Sequence, residues 1–503
     1  MTRIAQPFNQ ALSEQERYPM SAVQELYKNY INGQWVEGGA GTLAVDNPNT
    51  GEALSLQASA DASDVDRAVQ AASEVRENRS LADLRPIERA RMIQKMSAYI
   101  SANKDRVASL LTLESGKPLW ESEIEVDSAA RFLEFYGNQA ESVEGKSIPL
   151  GASYFDFTTY EPYGVSGQII PWNFPLEITA RGIGPALATG NAVVVKTPEL
   201  DPLSHFIFGE AAEAAGFPAG AVNILCGHGA EAGAALTAHP GVGQVVFTGS
   251  VQTGTAVAVA AARRVVPCVL ELGGKSAGIV YPDADRQKVL DSVRWGIYFN
   301  AGQVCSAFSR MLVHESIHDE MVERVSELAK GLSVGHGMER PAFGANMGAM
   351  VSDAQRARAE GICQRAEAEG ARAVTGGRRL NQPGYFFEPT VFDGVTPEMN
   401  IAQEEVFGPV ISVMKFSEDD EAIRMANGTD YGLVAGVFTK DLDRATAAAQ
   451  RLQAGQIYVN EWYAGGVETP FGGFGKSGYG REKGREALYN YVQTKNIGIA
   501  LGS

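Results

Sequence analysis

The chain has 503 residues, 45% hydrophobic and 20% charged, which suits a soluble globular protein of more than one domain. Its 43 basic and 60 acidic side chains leave a formal charge of −17, a surface that repels a phosphate backbone and argues against nucleic acid as a partner. No stretch approaches the roughly 18 consecutive apolar residues a membrane helix needs, and the first twenty residues lack an apolar core and carry Glu14 and Glu16, so no membrane partner or signal peptide is expected and the default location is cytoplasmic.

Residues 28–37, KNYINGQWVE, alternate around an Asn-Gly pair and predict an early hairpin. DNPNTGE (46–52) is a turn cluster. Helical patterns follow at 63–77, 86–103 and 104–115, with Ser63 the expected N-cap of the first. SYFDFTTYEPYG (153–164), aromatic and β-branched without helical period, predicts a long ribbon.

From 165 to 281, apolar runs at 166–170, 191–196, 221–226, 243–248, 266–272 and 277–281 alternate with helix-like spans at 175–189, 202–215, 229–238 and 251–263. That alternation predicts a doubly wound α/β sheet with ligands beyond the carboxyl ends of its strands. A second α/β series runs from 283 to about 460, with helices near 284–299, 318–332, 351–369, 418–427 and 441–453. The tail, 494–501, alternates weakly and could form an edge strand.

Cys226, Cys268, Cys305 and Cys363 form no C-x-x-C pair and the six histidines are scattered, so neither a disulfide framework nor a metal site is expected. His314 and His318 are four apart but straddle a strand-to-helix change. Two sites imitate a phosphate loop, GGKS (273–276) and GKS (475–477). Each lacks the glycine that motif needs five residues before its Gly-Lys, having Val269 and Pro470 there instead. GFGKSG (473–478) matches G-x-G-x-x-G only literally, because no strand is expected before it.

In QVVFTGSVQTG (244–254) an apolar strand meets Thr248-Gly249-Ser250 and then a helix, whose N-terminus could hold a phosphate. VVVKTPEL (193–200) places Lys196 and Glu199 just past another strand, where they could meet a ribose or remain a solvated loop end. PWNFP (171–175) brackets Asn173 between prolines, so its amide is either a preorganised donor to an oxyanion or part of a rigid aromatic turn. Glu271 and Cys305, 34 residues apart, would suit a carboxylate base and thiol nucleophile if the fold joined them; alone they read as packing.

Together PWNFP, VVVKTPE, FTGS, LELGGKS, FNAGQVCS, EEVFGPV (404–410) and PFGGFGKSGYGRE (470–482) resemble the NAD(P)-dependent aldehyde dehydrogenase superfamily, hydrolytic type, in the family's order from about residue 28 to 500. The resemblance implies two doubly wound α/β domains plus a small β-ribbon: NAD-binding over 21–140 and 162–273, catalytic over 274–482, oligomerisation over 141–161 and 483–503. It implies Cys305 as nucleophile, Glu271 as base, Asn173 in the oxyanion hole and Glu482 in proton relay. Lys196, Glu199, Gly229, Gly249, Ser250, Leu272, Glu405, Phe407 and Trp172 are implied at the cofactor, and Phe174, Arg181, Trp462 and Phe471 at the substrate.

The expected reaction is oxidation of an aldehyde to its acid through a Cys305 thiohemiacetal and thioester. Glu271, absent from members that pass the thioester to coenzyme A, favours hydrolysis. Glu199 would repel a 2′-phosphate, so NAD is expected over NADP. A homodimer or homotetramer follows from the resemblance.

Arg181 stands where many members carry Trp and succinate-semialdehyde dehydrogenases hold the substrate carboxylate, but Phe299 replaces their second arginine. It could instead pair with Glu177, four residues earlier. Gly182 replaces a frequent Lys. Trp462, Tyr463 and Phe174 suggest an aromatic wall, leaving aromatic, long-chain and semialdehyde substrates open. A catalytically silent member acting as a binding protein is the alternative; it would be favoured by loss of Cys305 or Glu271, and both are present.

Overall fold

The computed structural model describes residues 23–339 and 343–502; the reading of residues 1–20 lies outside them. Asn29–Ile31 and Gln34–Val36 pair antiparallel across Asn32 and Gly33, whose φ angles of 51° and 72° give the two left-handed positions a tight hairpin turn requires.

The first helix, Ala62–Glu77, is capped by Asp61 rather than Ser63. Asp61 accepts from the Ser63 and Asp64 amides while Asp64 reaches back to the Asp61 amide, so two carboxylates satisfy what a single serine could not. Helices Pro86–Ala102 and Lys104–Ser115 follow as expected. A further helix, Leu119–Gln139, was not anticipated: its first two turns bury Glu121, Ser122 and Glu125, and its inner face becomes apolar from Val126 onward.

The first large sheet has eight strands. From one edge they are Gly478–Tyr479, Cys268–Glu271, Gln244–Thr248, Val165–Ile169, Ala192–Thr197, Val222–Cys226, Asn29–Ile31 and Gln34–Val36. The central five are parallel, and the chain winds outward in both directions from Val165–Ile169. A crevice therefore opens at the carboxyl ends beside that strand. The second sheet has seven strands, in the order Arg372–Thr375, Thr390–Asp393, Val410–Phe416, Arg310–His314, Ala277–Val280, Val434–Phe438 and Gln456–Val459. All its pairings are parallel except that of Arg372–Thr375.

Each sheet has its own buried apolar cluster, and Phe174 packs against both. The segment between residues 474 and 479 is paired to two places at once. Phe474–Gly475 is antiparallel to Tyr431–Gly432, and Gly478–Tyr479 is antiparallel to the end of Cys268–Glu271. Away from both sheets, Tyr154–Pro162 pairs along its length with Val492–Ala500, the predicted ribbon and edge strand. Among the described residues no helix is long and apolar enough to cross a membrane.

Candidate active site

Register determines what meets at the crevice. Thr248 lies opposite Glu271 at the ends of adjacent parallel strands, and the Gly249 amide donates to the Glu271 carbonyl at 3.0 Å. Val165–Ile169, on the other side of Gln244–Thr248, delivers Pro171, Trp172 and Asn173. These residues, with Gly249, Ser250, Leu272, Gly273, Cys305, Glu405 and Phe407, line one cleft of about 330 Å³. The fold thus brings Glu271, Cys305 and Asn173 together despite their separation in sequence. Gln252, Gln355 and Arg358 also line the cleft and were missed by the sequence reading. Gln355 and Arg358 come from the helix Asp353–Ala368, to which the sequence reading gave no role in the site.

The turn that carries Cys305 is strained. Asn300, Ala301 and Gly302 have φ of 49°, 50° and 71°, and for Ala301 the left-handed conformation costs roughly 1–2 kcal/mol. It is held by hydrogen bonds. The Asn300 amide donates to Glu121 at 3.0 Å, and the Asn300 side chain donates to the Asn173 carbonyl at 2.7 Å. Gln303 closes the turn by donating to the Asn300 carbonyl at 3.0 Å, and the Asn173 side-chain amide donates to the Gln303 carbonyl at 3.1 Å. One amide N–H of Asn173 is thus used in fixing the residue, leaving a second for the cleft.

Two glycines let the walls close in. A Cβ on Gly273 would stand 2.4 Å from a Glu405 carboxylate oxygen, and one on Gly274 would stand 2.4 Å from the Cys305 carbonyl. The Gly274 amide then donates to Glu405 at 3.0 Å.

Burial dominates the electrostatics. It pushes the Cys305 thiol up to about 12, although the Arg181 guanidinium pulls the other way. Glu271 is 2% exposed, and neither carboxylate oxygen has a hydrogen-bond partner among the described residues. Burial, reinforced by the nearby Glu482 charge, holds its carboxyl well above the ordinary range. Glu405 is likewise raised by burial to about 7, opposed by its Gly274 bond. A carboxyl held above its ordinary range is, once deprotonated, a stronger base than a free carboxylate, as removing a proton from water requires.

Lys196, Glu199 and Gly229 gather one strand further along, off the cleft walls. Glu199 accepts from Lys196 at 2.7 Å and from the Gly229 amide at 2.6 Å. Ser250 caps the 14-residue helix Val251–Arg264 by accepting from the Thr253 amide, so that helix starts at the cleft. Trp172 meets Phe407 edge-on at 5.2 Å, with Phe407 in a left-handed conformation of φ 56°.

On the far side of Cys305, Arg181 is buried and forms an ion pair with Glu482, a partner not foreseen; the expected Glu177 lies further off, at 3.8 Å. The Arg181 guanidinium lies over Phe471 at 5.1 Å, and Phe471 and Glu482 exchange backbone hydrogen bonds. Gly182 has no room for a side chain, because a Cβ there would be 2.4 Å from the Gln168 amide oxygen. Phe174 stacks on Phe299 at 5.8 Å. Trp462, expected in the aromatic wall, packs into the second core. It is 3% exposed, stacked on Phe308 at 4.3 Å, with its indole N–H donated to the Ser306 carbonyl at 3.0 Å. Its ring area is better buried in the second core, where its single polar atom finds an acceptor.

The aldehyde dehydrogenase family model matches residues 35–497. The chain belongs to the aldehyde dehydrogenase family. Retinal dehydrogenase 2 of Mus musculus is 40% identical over 478 residues, covering 94% of this chain and 92% of the mouse protein. The NAD+ complex of an aldehyde dehydrogenase from Bacillus cereus superposes with a TM-score of 0.94 at 36% identity, over 98% of this chain and 100% of that one. An indole-3-acetaldehyde dehydrogenase in complex with NAD+ gives 0.93 at 37% identity, over 96% and 98% of the two chains. Both the family and the aldehyde dehydrogenase fold expected from the sequence are thereby shown, and with them an enzyme of aldehyde oxidation.

Proposed function

We propose that this aldehyde dehydrogenase oxidises its substrate to a carboxylic acid by covalent catalysis at Cys305. The observation that carries the reading is the convergence of Cys305, Glu271 and Asn173 on one cleft that also receives the capped start of a long helix. Cys305 adds through sulfur to the aldehyde carbon, losing its proton as the bond forms, and the resulting oxyanion is held by the Asn173 amide and the Cys305 backbone N–H. Loss of hydride from that thiohemiacetal leaves a thioester. Glu271 then takes a proton from water as the water attacks the thioester, releasing the acid and restoring the thiol. Glu482, whose charge bears on Glu271, relays protons to and from that carboxyl.

The residues present fit a nicotinamide dinucleotide. The Ser250-capped helix start suits a pyrophosphate, and Glu199, fixed by two donors yet with a third of its side chain exposed, suits a ribose diol. Gly229 supports Glu199, while Trp172, Gly249, Leu272, Glu405 and Phe407 would hold the rest. The dinucleotide, when bound, supplies the hydride acceptor. A carboxylate at the adenosine ribose favours NAD over NADP, because a 2′-phosphate would meet like charge. Glu199→Ser is expected to narrow the ratio of KM for NADP to KM for NAD; an unchanged ratio would remove Glu199 from cofactor choice.

For substrate we infer an aromatic or long-chain aldehyde. The Phe174–Phe299 stack offers an apolar wall, and Arg181 already has a carboxylate partner, which argues against a semialdehyde. The mouse relative and the indole-3-acetaldehyde dehydrogenase carry the names of large apolar aldehydes. The domain division expected from the sequence, and a homodimer or homotetramer, belong to the same reading. In its support, Val492–Ala500 presents a free edge, and Tyr154, Phe155 and Ile499 on the ribbon are exposed.

Purified protein should form NADH from NAD with members of an aldehyde panel, and Cys305→Ala should not. Wild type that bound NAD but reduced none with any aldehyde would sink the reading.

A further inference from the structure

The link Gly116-Lys117-Pro118 carries a lysine whose side chain is 1% exposed. Its ammonium is paired with Glu125, also 1% exposed, and donates to the Asn173 carbonyl at 3.0 Å. The other oxygen of Glu125 accepts from the Leu176 amide at 2.9 Å, in the first turn of the helix that follows Asn173. Four residues earlier on Leu119–Gln139, Glu121 accepts from the Asn300 amide at 3.0 Å, at the start of the turn that carries Cys305. One helix face, two carboxylates and one lysine therefore hold both the Asn173 loop and the Cys305 loop.

We propose that Lys117 and Glu125 are positioning residues for the oxyanion donor, fixing the Asn173 peptide so that its side-chain amide faces the carbon attacked by Cys305. This rests on the role proposed for Asn173. Stability alone does not account for the arrangement. A buried ion pair replaced by apolar groups of similar volume is often neutral or more stable, whereas here the charges end in hydrogen bonds to the Asn173 carbonyl and to the Leu176 amide just after it. The Asn173 carbonyl receives two donors, Lys117 and Asn300, which fixes its peptide plane from the helix side and from the nucleophile side. An error of about 1 Å in such a group can cost on the order of 100-fold in rate.

The test is a double-mutant cycle read on the rate constant of the pre-steady-state NADH burst. Lys117→Met should lower that constant by roughly 10- to 100-fold, leave the KM for NAD within a factor of about two, and leave Cys305 alkylation by iodoacetamide unchanged. In an Asn173→Ala background the same substitution should change the burst by less than about two-fold, because the group it positions is gone. Equal factors in the two backgrounds would overturn the proposal. If Lys117→Met does not fold, Glu125→Gln, which keeps the shape and removes the charge, is read through the same cycle with the same expectations. A wild-type enzyme with no burst on any aldehyde would instead count against the proposed function.

Discussion

Arg181 and Glu482 form an ion pair inside the protein, 301 residues apart in sequence and each less than a tenth exposed. Burial alone would lower the arginine, but the carboxylates of Glu482 and Glu177 overcome it and hold the guanidinium charged. Removing one partner leaves the other charge buried without compensation, which typically costs about 3–5 kcal/mol. Arg181→Met should therefore destabilise the protein by that order in urea unfolding, and Arg181→Met with Glu482→Gln should recover part of the loss. Acidic and neutral aldehydes should suffer alike. A loss confined to acidic aldehydes would show that the guanidinium meets substrate instead.

Glu271→Gln should separate the two halves of the reaction. In the proposed reaction, attack by Cys305 and hydride loss need no activated water, so a burst near one NADH per active site is expected, followed by turnover slowed by about 10²–10⁴-fold. Rapid-mixing absorbance at the NADH band measures both. Steady turnover at the wild-type rate would remove Glu271 from deacylation.

Glu121 makes stability depend on pH. Burial raises its carboxyl to about 8 against an ordinary 4.5, with Lys117 and the Asn300 hydrogen bond opposing. The unfolded chain releases this proton above pH 4.5 while the folded chain keeps it up to about pH 8. The folded state thus binds more protons across that window, and stability falls as pH rises through it, by up to about 1.4 kcal/mol per pH unit for one such group. Glu121→Gln can still accept from Asn300 but cannot ionise. It should match wild type near pH 5 and exceed it in Tm near pH 8; parallel Tm curves across that range would refute the assignment.

The adjacent glycines of the Leu272–Ser276 loop should fail differently. Gly273→Ala presses on the flexible end of Glu405, so the expected result is a raised KM for NAD with a modest change in kcat. Gly274→Ala presses on the backbone carbonyl of Cys305, which cannot swing aside, so kcat should fall by a larger factor. Steady-state kinetics of the two variants, with the reverse pattern as the refuting outcome, decides this.

Most of the cleft was legible because its residues sit in short local signals at strand ends. Thr248-Gly249-Ser250, Asn173 between prolines and Glu271 after an apolar run each lie where a parallel strand stops. The start of the helix Leu119–Gln139 was not legible, because its first two turns bury Glu121 and Glu125, whose partners, Lys117 and the Leu176 and Asn300 amides, are assembled only by the fold; the apolar stripe from Val126 to Tyr136 was in the sequence and was overlooked. Arg181 pointed in sequence to Glu177 one turn away, but a closer carboxylate arrives from the far end of the chain. The stacking of Trp462 on Phe308 was not legible, because the two rings are brought face to face only by the fold. In each case a long-range neighbour outweighed a local pattern.

The short segment from Phe474 to Tyr479 works as a clasp. One half is hydrogen-bonded to the strand that ends in Glu271, the other to Tyr431–Gly432 beside the second sheet, and between them the Ser477 hydroxyl accepts from Gly432 and donates to Gly273. Swinging the two halves of the molecule apart as jaws would break these ladders together, at the edge nearest the base. A jaw-like opening is therefore opposed at that edge by hydrogen bonds to both sheets' surroundings at once.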